Sequence, residues 1–333
     1  MPLPVDKFYV MYDREREQLF SYQFIDTIAP DLSRRLRAHE ESCVISEMRH
    51  RTFEINHHVV FCPCCGRGIG NLRRLAPQCI NGLERAHIED VGVIGFGRFG
   101  SFFAAHLARW FDVTACDVVD RSAEAVALGV NWGTLEQAAA KDVVILAVPL
   151  NGMESVLQRL APCLEGNSLV MDVCSVKQEP LRLMRKYLAP AELLGTHPLF
   201  GPSSVSGEFP LHQQKIVVCP VVAPSPRLQY LLSFLSDRLP LCLIEMSAVE
   251  HDQEMAKVQA LTHFIGQALS TLGISDSRAS TKAFDHLMET KRIVASNSRD
   301  LFDTVQKGNP FAAETRARFL EALVTVERGL LTA

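Results

Sequence analysis

Apolar positions along this chain follow two rhythms, and the change between them falls near Ser247. Between Val91 and Glu245, short continuous apolar runs recur: Val91-Gly-Val-Ile-Gly, Asp112-Val-Thr-Ala-Cys-Asp, Val143-Val-Ile-Leu-Ala-Val-Pro, Ser168-Leu-Val-Met-Asp-Val, Leu193-Leu-Gly-Thr-His, Lys215-Ile-Val-Val-Cys-Pro and Leu241-Cys-Leu-Ile-Glu. Each has the length of a buried strand. Helix-like stretches at 101–110, 122–128, 135–140, 153–160 and 227–238 separate most of them. Continuous apolar strands alternating with amphipathic helices predict a parallel sheet covered on both faces. After Ser247 the strand signal ends. Met255, Val258, Leu261, Thr262, Ile265, Leu269 and Leu272 recur at helical spacing and predict a long helix, and helical patterning continues to the end with a break at 308–310.

Residues 1–88 have another texture. Cys43, Cys62, Cys64, Cys65 and Cys79 lie there with His39, His50, His57, His58 and His87, and Lys7 is the segment's only lysine. Pro30, Pro63 and several glycines interrupt any helical pattern, so Val44–Phe61 does not read as a long helix. His57, His58, Cys62, Cys64, Cys65 and Cys79 are conceivable zinc ligands. Neither paired C-x2-C knuckles nor C-x2-C with H-x3-H appears cleanly, so no metal is assigned. The expected organisation is an extension of unknown role over 1–88, a doubly wound domain over 89–245 and an all-helical domain over 246–333.

Composition narrows the partners. A net charge of −4 provides no basic field for nucleic acid or an anionic membrane. No apolar run approaches the roughly 20 residues that span a bilayer. Asp6, Asp13, Glu15, Glu17 and Asp26 disfavour a secretory or transit signal, and ten cysteines in such a chain read as reduced thiols. A cytoplasmic protein is expected.

The first strand runs directly into Gly95-Phe96-Gly97-Arg98-Phe99-Gly100, which opens the first helix, and Asp117 ends the second strand. A lone G-x-G-x-x-G is a weak signal, but strand, glycine turn, helix, strand and acid in this order form a Rossmann-type dinucleotide fingerprint. Gly95 permits the tight turn, Gly97 the approach of a pyrophosphate, and Gly100 the packing of helix on strand. The pyrophosphate is expected at the helix N-terminus. Asp117 would accept from the ribose 2′-hydroxyl and repel a 2′-phosphate, which favours NAD, although nearby Arg121 leaves NADP open. Val148 and Pro149, at the end of another strand, are assigned to the same cofactor site.

Three further stretches follow strands or lie on the long helix: Asp172-Val-Cys-Ser175-Val-Lys177, Thr196-His197-Pro-Leu-Phe-Gly-Pro, and Glu250-His-Asp-Gln-Glu-Met-Ala-Lys-Val-Gln-Ala-Leu-Thr-His263-Phe. With them, the chain resembles the prephenate/arogenate dehydrogenases from about Val91 to about Val305. The helix motif is similar to that of bacterial enzymes fused to a chorismate mutase; such a mutase is all-helical, so residues 1–88 are not expected to be one. The resemblance implies an NAD-dependent oxidative decarboxylation and a helical domain that forms a homodimer. It implies that His197 is the catalytic histidine that holds the substrate's ring hydroxyl and receives its proton. Ser175 would hydrogen-bond that hydroxyl and the histidine, Lys177 would support the site, and His263 and Arg292 would contact substrate. The loop before Leu301 is one residue longer than in the family, which loosens the Arg292 match.

Elementary chemistry suits these residue types. A neutral histidine is the natural base for a hydroxyl near neutral pH, and an arginine fork matches a carboxylate. Plainer readings stand beside these. His197 also reads as a loop histidine, Ser175 as a helix N-cap, His263 as a core residue and Arg292 as a solvated one; His251 and Asp252 read as capping and surface residues. Prephenate is the expected substrate, with arogenate or a 4-amino analogue as rivals and a catalytically silent nucleotide-binding regulator as the alternative of another class.

Overall fold

The structure is a computed structural model that describes residues 8–13, 18–21, 50–56, 59–61, 68–71, 88–164, 168–202, 205, 211–221 and 225–331. The chain divides into two compact units, Met1–Glu89 with Ala223–Leu241, and Asp90–Val222 with Cys242–Ala333.

The first unit holds five strands: β1 (Phe8–Asp13), β2 (Gln18–Ser21), β3 (His50–Asn56), β4 (Val59–Phe61) and β5 (Gly68–Asn71). Their order is β2-β1-β3-β4-β5, with β1 and β3 parallel and the other neighbours antiparallel. The stretch Val44–Phe61 thus contains two strands, as its broken helical pattern suggested. The six histidines and cysteines considered as zinc ligands lie outside the described residues.

The second unit is built on an eight-stranded sheet. Its elements begin with β6 (Asp90–Ile94), α1 (Arg98–Leu107), β7 (Asp112–Cys116), α2 (Ser122–Ala127), β8 (Asn131–Trp132) and α3 (Leu135–Ala139). They continue with β9 (Val143–Leu146), α4 (Leu150–Leu160), β10 (Leu169–Asp172), α5 (Gln178–Leu188), β11 (Glu192–Pro198) and β12 (Lys215–Pro220). In the chain α6 (Pro226–Asp237), which belongs to the first unit, comes next, then β13 (Cys242–Glu245). The sheet order is β13-β12-β11-β10-β9-β6-β7-β8. Every pairing is parallel except β11 with β12, whose antiparallel register sets His197 opposite Val217. Each strand in the apolar pattern is present. The two-residue β8 had no apolar run to announce it, and the reversal at β12 is invisible to hydropathy because both faces are buried either way.

The strand order reverses direction between β6 and β9, and in open α/β sheets the crevice at such a switch point receives the ligand. Gly95 and the Ala147-Val148-Pro149 turn meet there. Beneath it Leu146, Met153 and Leu157 are fully buried, so the turns rest on a close-packed floor.

The remainder is helical: α7 (Ala248–Met255), a π-helical turn (Ala256–Leu261), α8 (Thr262–Thr271), α9 (Lys282–Ala295), α10 (Arg299–Asp303), a second π-turn (Thr304–Gly308) and α11 (Ala312–Leu331). Ser247 and Glu250 start α7 with a reciprocal capping box. The stripe read from α-helical spacing is displaced, because Val258 is 58% and Leu272 71% exposed. The buried positions are His251, Asp252, Met255, Ala256, Ala260, His263 and Gly266. The first π-turn accommodates one extra residue and so rotates everything after it. Twelve residues at about 100° each would leave His263 roughly 120° from His251; with one residue absorbed, the offset is roughly 20°. Among the described residues no helix is long and apolar enough to cross a membrane.

Candidate active site

The glycine turn is held from several directions. Gly95 has φ +97°, and a Cβ there would lie 2.4 Å from the Ala147 carbonyl oxygen, so only glycine fits. A Cβ on Gly100 would lie 2.0 Å from the Gly95 carbonyl oxygen, which ties α1 tightly onto the turn. Gly97, the N-cap of α1, faces open space, and no side chain caps that helix. Its first-turn N–H groups therefore form a cradle of the kind that binds phosphate. Asp117 accepts from Phe96 N–H at 2.6 Å and from Val119 N–H at 3.0 Å, fixing a carboxylate beside the turn.

Side chains within the motif are used differently. Phe96 is fully buried and meets Trp132 edge-on at 5.7 Å, so only its backbone faces the turn. Phe99 stacks on Phe103 at 5.5 Å and lies 6.2 Å from Phe200, three residues after His197. Arg98 donates to the Ser296 carbonyl at 2.9 Å, at the C-terminal end of α9. Val148 packs where a Gly95 side chain would be, and Pro149 is the N-cap of α4.

At the carboxyl ends of β10 and β11 a second, buried assembly forms. His197 Nδ1 lies 2.9 Å from His251 Nε2, and His251 Nδ1 lies 2.8 Å from Asp252 Oδ1. The Asp252 carboxylate also accepts from Lys177 N–H (2.8 Å) and Gln178 N–H (3.0 Å) at the start of α5. This chain of contacts assigns the tautomers. A carboxylate only accepts, so His251 carries its proton on Nδ1 and offers a lone pair at Nε2. His197, 3% exposed, must then donate from Nδ1, which leaves its Nε2 as an acceptor with no partner among the described residues. Burial drives the pKa of His197 well below its ordinary 6.5, with the charges of His251 and Lys177 acting the same way. Burial likewise lowers His251, against the pull of Asp252. Burial alone would raise the Asp252 carboxyl, yet His251 and the two N–H groups hold it below the usual carboxylate range. The assembly is a neutral base backed by a fixed anion, able to take a proton from a hydroxyl and pass its charge inward.

Comparison with known proteins gives this geometry a lineage. Residues 107–239 match the family described as prephenate dehydrogenase, nucleotide-binding domain, and residues 268–333 match that described as TYRAAT1-like, C-terminal domain. The chain is 30% identical over 249 residues to the chloroplastic arogenate dehydrogenase 2 of Arabidopsis thaliana, covering 72% of this chain and 69% of that one. It belongs to the prephenate/arogenate dehydrogenase family.

Members of that family are oxidoreductases, and this chain is a dehydrogenase of that type. It is also 34% identical over 175 residues to the T-protein of Haemophilus influenzae, across 51% of this chain but only 41% of the T-protein's length. Its fold is shared with the crystal structure of Aquifex aeolicus prephenate dehydrogenase in complex with hydroxyphenyl propionate and NAD+, at a TM-score of 0.62 and 19% identity over 74% of this chain and 92% of the other.

Within this prephenate/arogenate dehydrogenase the expected site residues take distinct places. Ser175 is half-buried, and its hydroxyl has no hydrogen-bond partner among the described residues. It does not cap α5: Lys177 occupies the N-cap position, and Asp252 satisfies the helix N–H groups instead. Lys177 is fully buried, its Nζ donating to the Asp172 carboxylate and to the Thr196 carbonyl (2.5 Å). It thus binds the ends of β10 and β11 together beside His197, with no surface left for a substrate. His263 is 7% exposed, and its Nδ1 is buried without a partner among the described residues. It lies twelve residues beyond His251, on α8, past the first π-turn. Arg292 is on an exposed face of α9, paired with Asp276 (3.1 Å) and Glu289. The structure does not bring either residue into the His197 cluster.

His251 and Asp252 correct the sequence reading. Neither is a capping or surface residue of its own helix; both are fully buried. Ser247 and Glu250 already supply the cap, which freed the next two polar residues for another task. That redundancy was the available signal.

Proposed function

We propose that this enzyme is a prephenate dehydrogenase, oxidatively decarboxylating prephenate to 4-hydroxyphenylpyruvate in tyrosine biosynthesis with NAD as the acceptor. The observation that carries this reading is the buried chain from His197 through His251 to Asp252, which leaves the lone pair on His197 Nε2 unengaged. In the reaction the hydroxyl-bearing ring carbon gives up a hydride, the opposite carbon loses carbon dioxide, and the ring becomes aromatic. NAD, when bound, supplies the hydride acceptor. His197 Nε2 accepts the ring hydroxyl's hydrogen bond and takes its proton as carbonyl character develops, and returns it as the ring aromatises. The imidazolium formed is stabilised through His251 by the Asp252 carboxylate. Ser175, with its unengaged hydroxyl, is the second partner for the ring hydroxyl, and Lys177 holds the strand ends in register. The resemblance gives Arg292 to a substrate carboxylate, and Arg292→Ala would raise KM with kcat little changed. His263, whose buried Nδ1 has no partner among the described residues, is assigned to substrate as the resemblance implies.

The open cradle at Gly97 and the fixed Asp117 carboxylate fit NAD: the N–H groups of α1 would hold the pyrophosphate, and Asp117 would accept from the ribose. Phe96, Arg98, Phe99, Val148 and Pro149 line or brace that cradle.

Arogenate is the second reading, favoured by the extended likeness to the Arabidopsis enzyme. The two substrates differ at the side chain, which bears a keto group in one and an amino group in the other. Purified protein assayed with prephenate, arogenate and the 4-amino analogue, each with NAD and NADP, decides between them. Prephenate with NAD should give the highest kcat/KM, and Asp117→Ala should narrow the preference for NAD over NADP. A wild type that prefers NADP, or arogenate, would overturn that part; absence of turnover with all three would favour the silent regulator. A homodimer in the cytoplasm completes the proposal.

A further inference from the structure

The break in helical patterning at Gly308-Asn309-Pro310 has no part in the reaction as described. Asn309 is 3% exposed, and its Nδ2 donates to the backbone carbonyl of Asp252 at 2.8 Å. Its Oδ1 accepts from Phe311 N–H at 2.9 Å. Three residues earlier Gln306, 6% exposed, donates from Nε2 to the Ala260 carbonyl at 2.6 Å, while Arg316 donates to Gln306 Oε1 at 2.8 Å. One of these carbonyls lies a turn before the first π-turn and the other near its end. Asp252 O also accepts from Ala256 N–H in the last α-helical bond before the π-turn, so that carbonyl carries two donors. Gly308 closes the same segment against the other side of the site: a Cβ there would lie 2.7 Å from Leu150 Cδ2 and 3.6 Å from Val176, the neighbour of Ser175 and Lys177.

A π-turn is an unusual local geometry that neighbouring groups must hold. Here it begins at Ala256, one α-helical turn after the residue pair on which His197 depends. The Asp252 carboxylate meets His251 and two N–H groups of α5 at once, so a shift of its backbone would strain all three contacts. Asn309 grips that backbone directly, and Gln306 grips the far end of the turn.

We propose that Asn309, with Gln306 as a second grip, is a positioning residue for the His197 base: it holds the backbone of Asp252 so that the His251–Asp252 pair keeps His197 protonated on Nδ1 and open at Nε2. The effect on turnover rests on the proposed dehydrogenase reaction. The effect on the His197 protonation site does not, and it is read without substrate.

Two isosteric changes separate the donor from the rest of each side chain. Asn309→Asp keeps the acceptor for Phe311 and removes the donor to Asp252, and Gln306→Glu keeps the acceptor for Arg316 and removes the donor to Ala260. Imidazole nitrogen correlations from full-length protein labelled with nitrogen-15 at histidine are the primary readout, His197 being assigned by its loss in His197→Asn. Wild type should show His197 with Nδ1 protonated and Nε2 bare, and both variants should shift it towards a mixture of tautomers. With the best substrate, kcat should fall about a hundredfold, the scale expected of a small displacement at the reacting groups, with NAD affinity unchanged. Combining Asn309→Asp with Asp252→Asn should cost no more than Asp252→Asn alone, since both act through one carboxylate. Folded variants with the wild-type His197 pattern, or fully additive losses, would overturn the proposal. If Asn309→Asp does not fold, Asn309→Ala and Gln306→Glu carry the same readout. A wild type inactive on every substrate would defeat the dehydrogenase reading, and the spectra would still decide this one.

Discussion

Which nitrogen of His197 carries the proton is set two hydrogen bonds away, at Asp252. The consequence is measurable as pH dependence. Burial holds the His197 pKa well below 6.5, so the residue stays neutral, and able to accept a proton, as the pH falls through 6.5. The acid limb of kcat/KM should therefore lie below that value, and a limb at or above it would mean that the histidine is exposed or supported differently. Asp252→Asn removes the anion that stabilises the imidazolium and permits the wrong tautomer; kcat should drop roughly a hundredfold or more, as in other histidine–aspartate pairs. At this scale the sequence was a partial guide. His197, Ser175 and Lys177 stood out because each follows an apolar strand end, where α/β sheets place their ligands. His251 and Asp252 did not, because two consecutive polar residues at a helix start look solvated until burial is known. Lys177 was found but its direction was not, since nothing in a lysine's position says whether its ammonium turns out to a substrate or in to Asp172.

Strands and helices were legible to the extent that one rhythm governs each. The buried strands of the sheet, with their continuous apolar runs, coincide with the observed ones, and the capping box of Ser247 and Glu250 marks where the helical region starts. The π-turn at Ala256–Leu261 escaped because a 3.6-residue period presumes an unbroken α-helix; it assigned Val258 to the core, where the structure exposes it. The glycine that follows the turn tests the revised face. A Cβ on Gly266 would lie 2.6 Å from Val294 Cγ2 and 2.8 Å from Val294 Cβ, both part of a stiff β-branched side chain on α9. Gly266→Ala should therefore destabilise the protein by about 1–3 kcal/mol through overpacking, despite alanine's better helix propensity. Chemical denaturation measures it directly, and a neutral or stabilised variant would place α8 and α9 further apart than described.

At the scale of the molecule, α11 leaves Leu320, Leu323, Val324, Val326, Leu330 and Leu331 each about half or more exposed, and Val258 and Ile293 add to the apolar surface of the helical region. More apolar area than a lone subunit buries is the usual mark of an interface, and the proposed homodimer would cover it. Light scattering should return a mass near twice the 37.0 kDa of one chain, and a clean monomer at micromolar concentration would contradict the dimer. The central claim is that a His197 base drives dehydrogenation of a prephenate-type substrate, and it is tested most directly by kcat for wild type and His197→Asn, followed as reduced nicotinamide on the best of the three substrates. Loss of acid–base catalysis should lower kcat by roughly a hundred- to ten-thousand-fold, with the fold and NAD affinity retained. A His197→Asn protein that turns over at nearly the wild-type rate would show that the proton goes elsewhere.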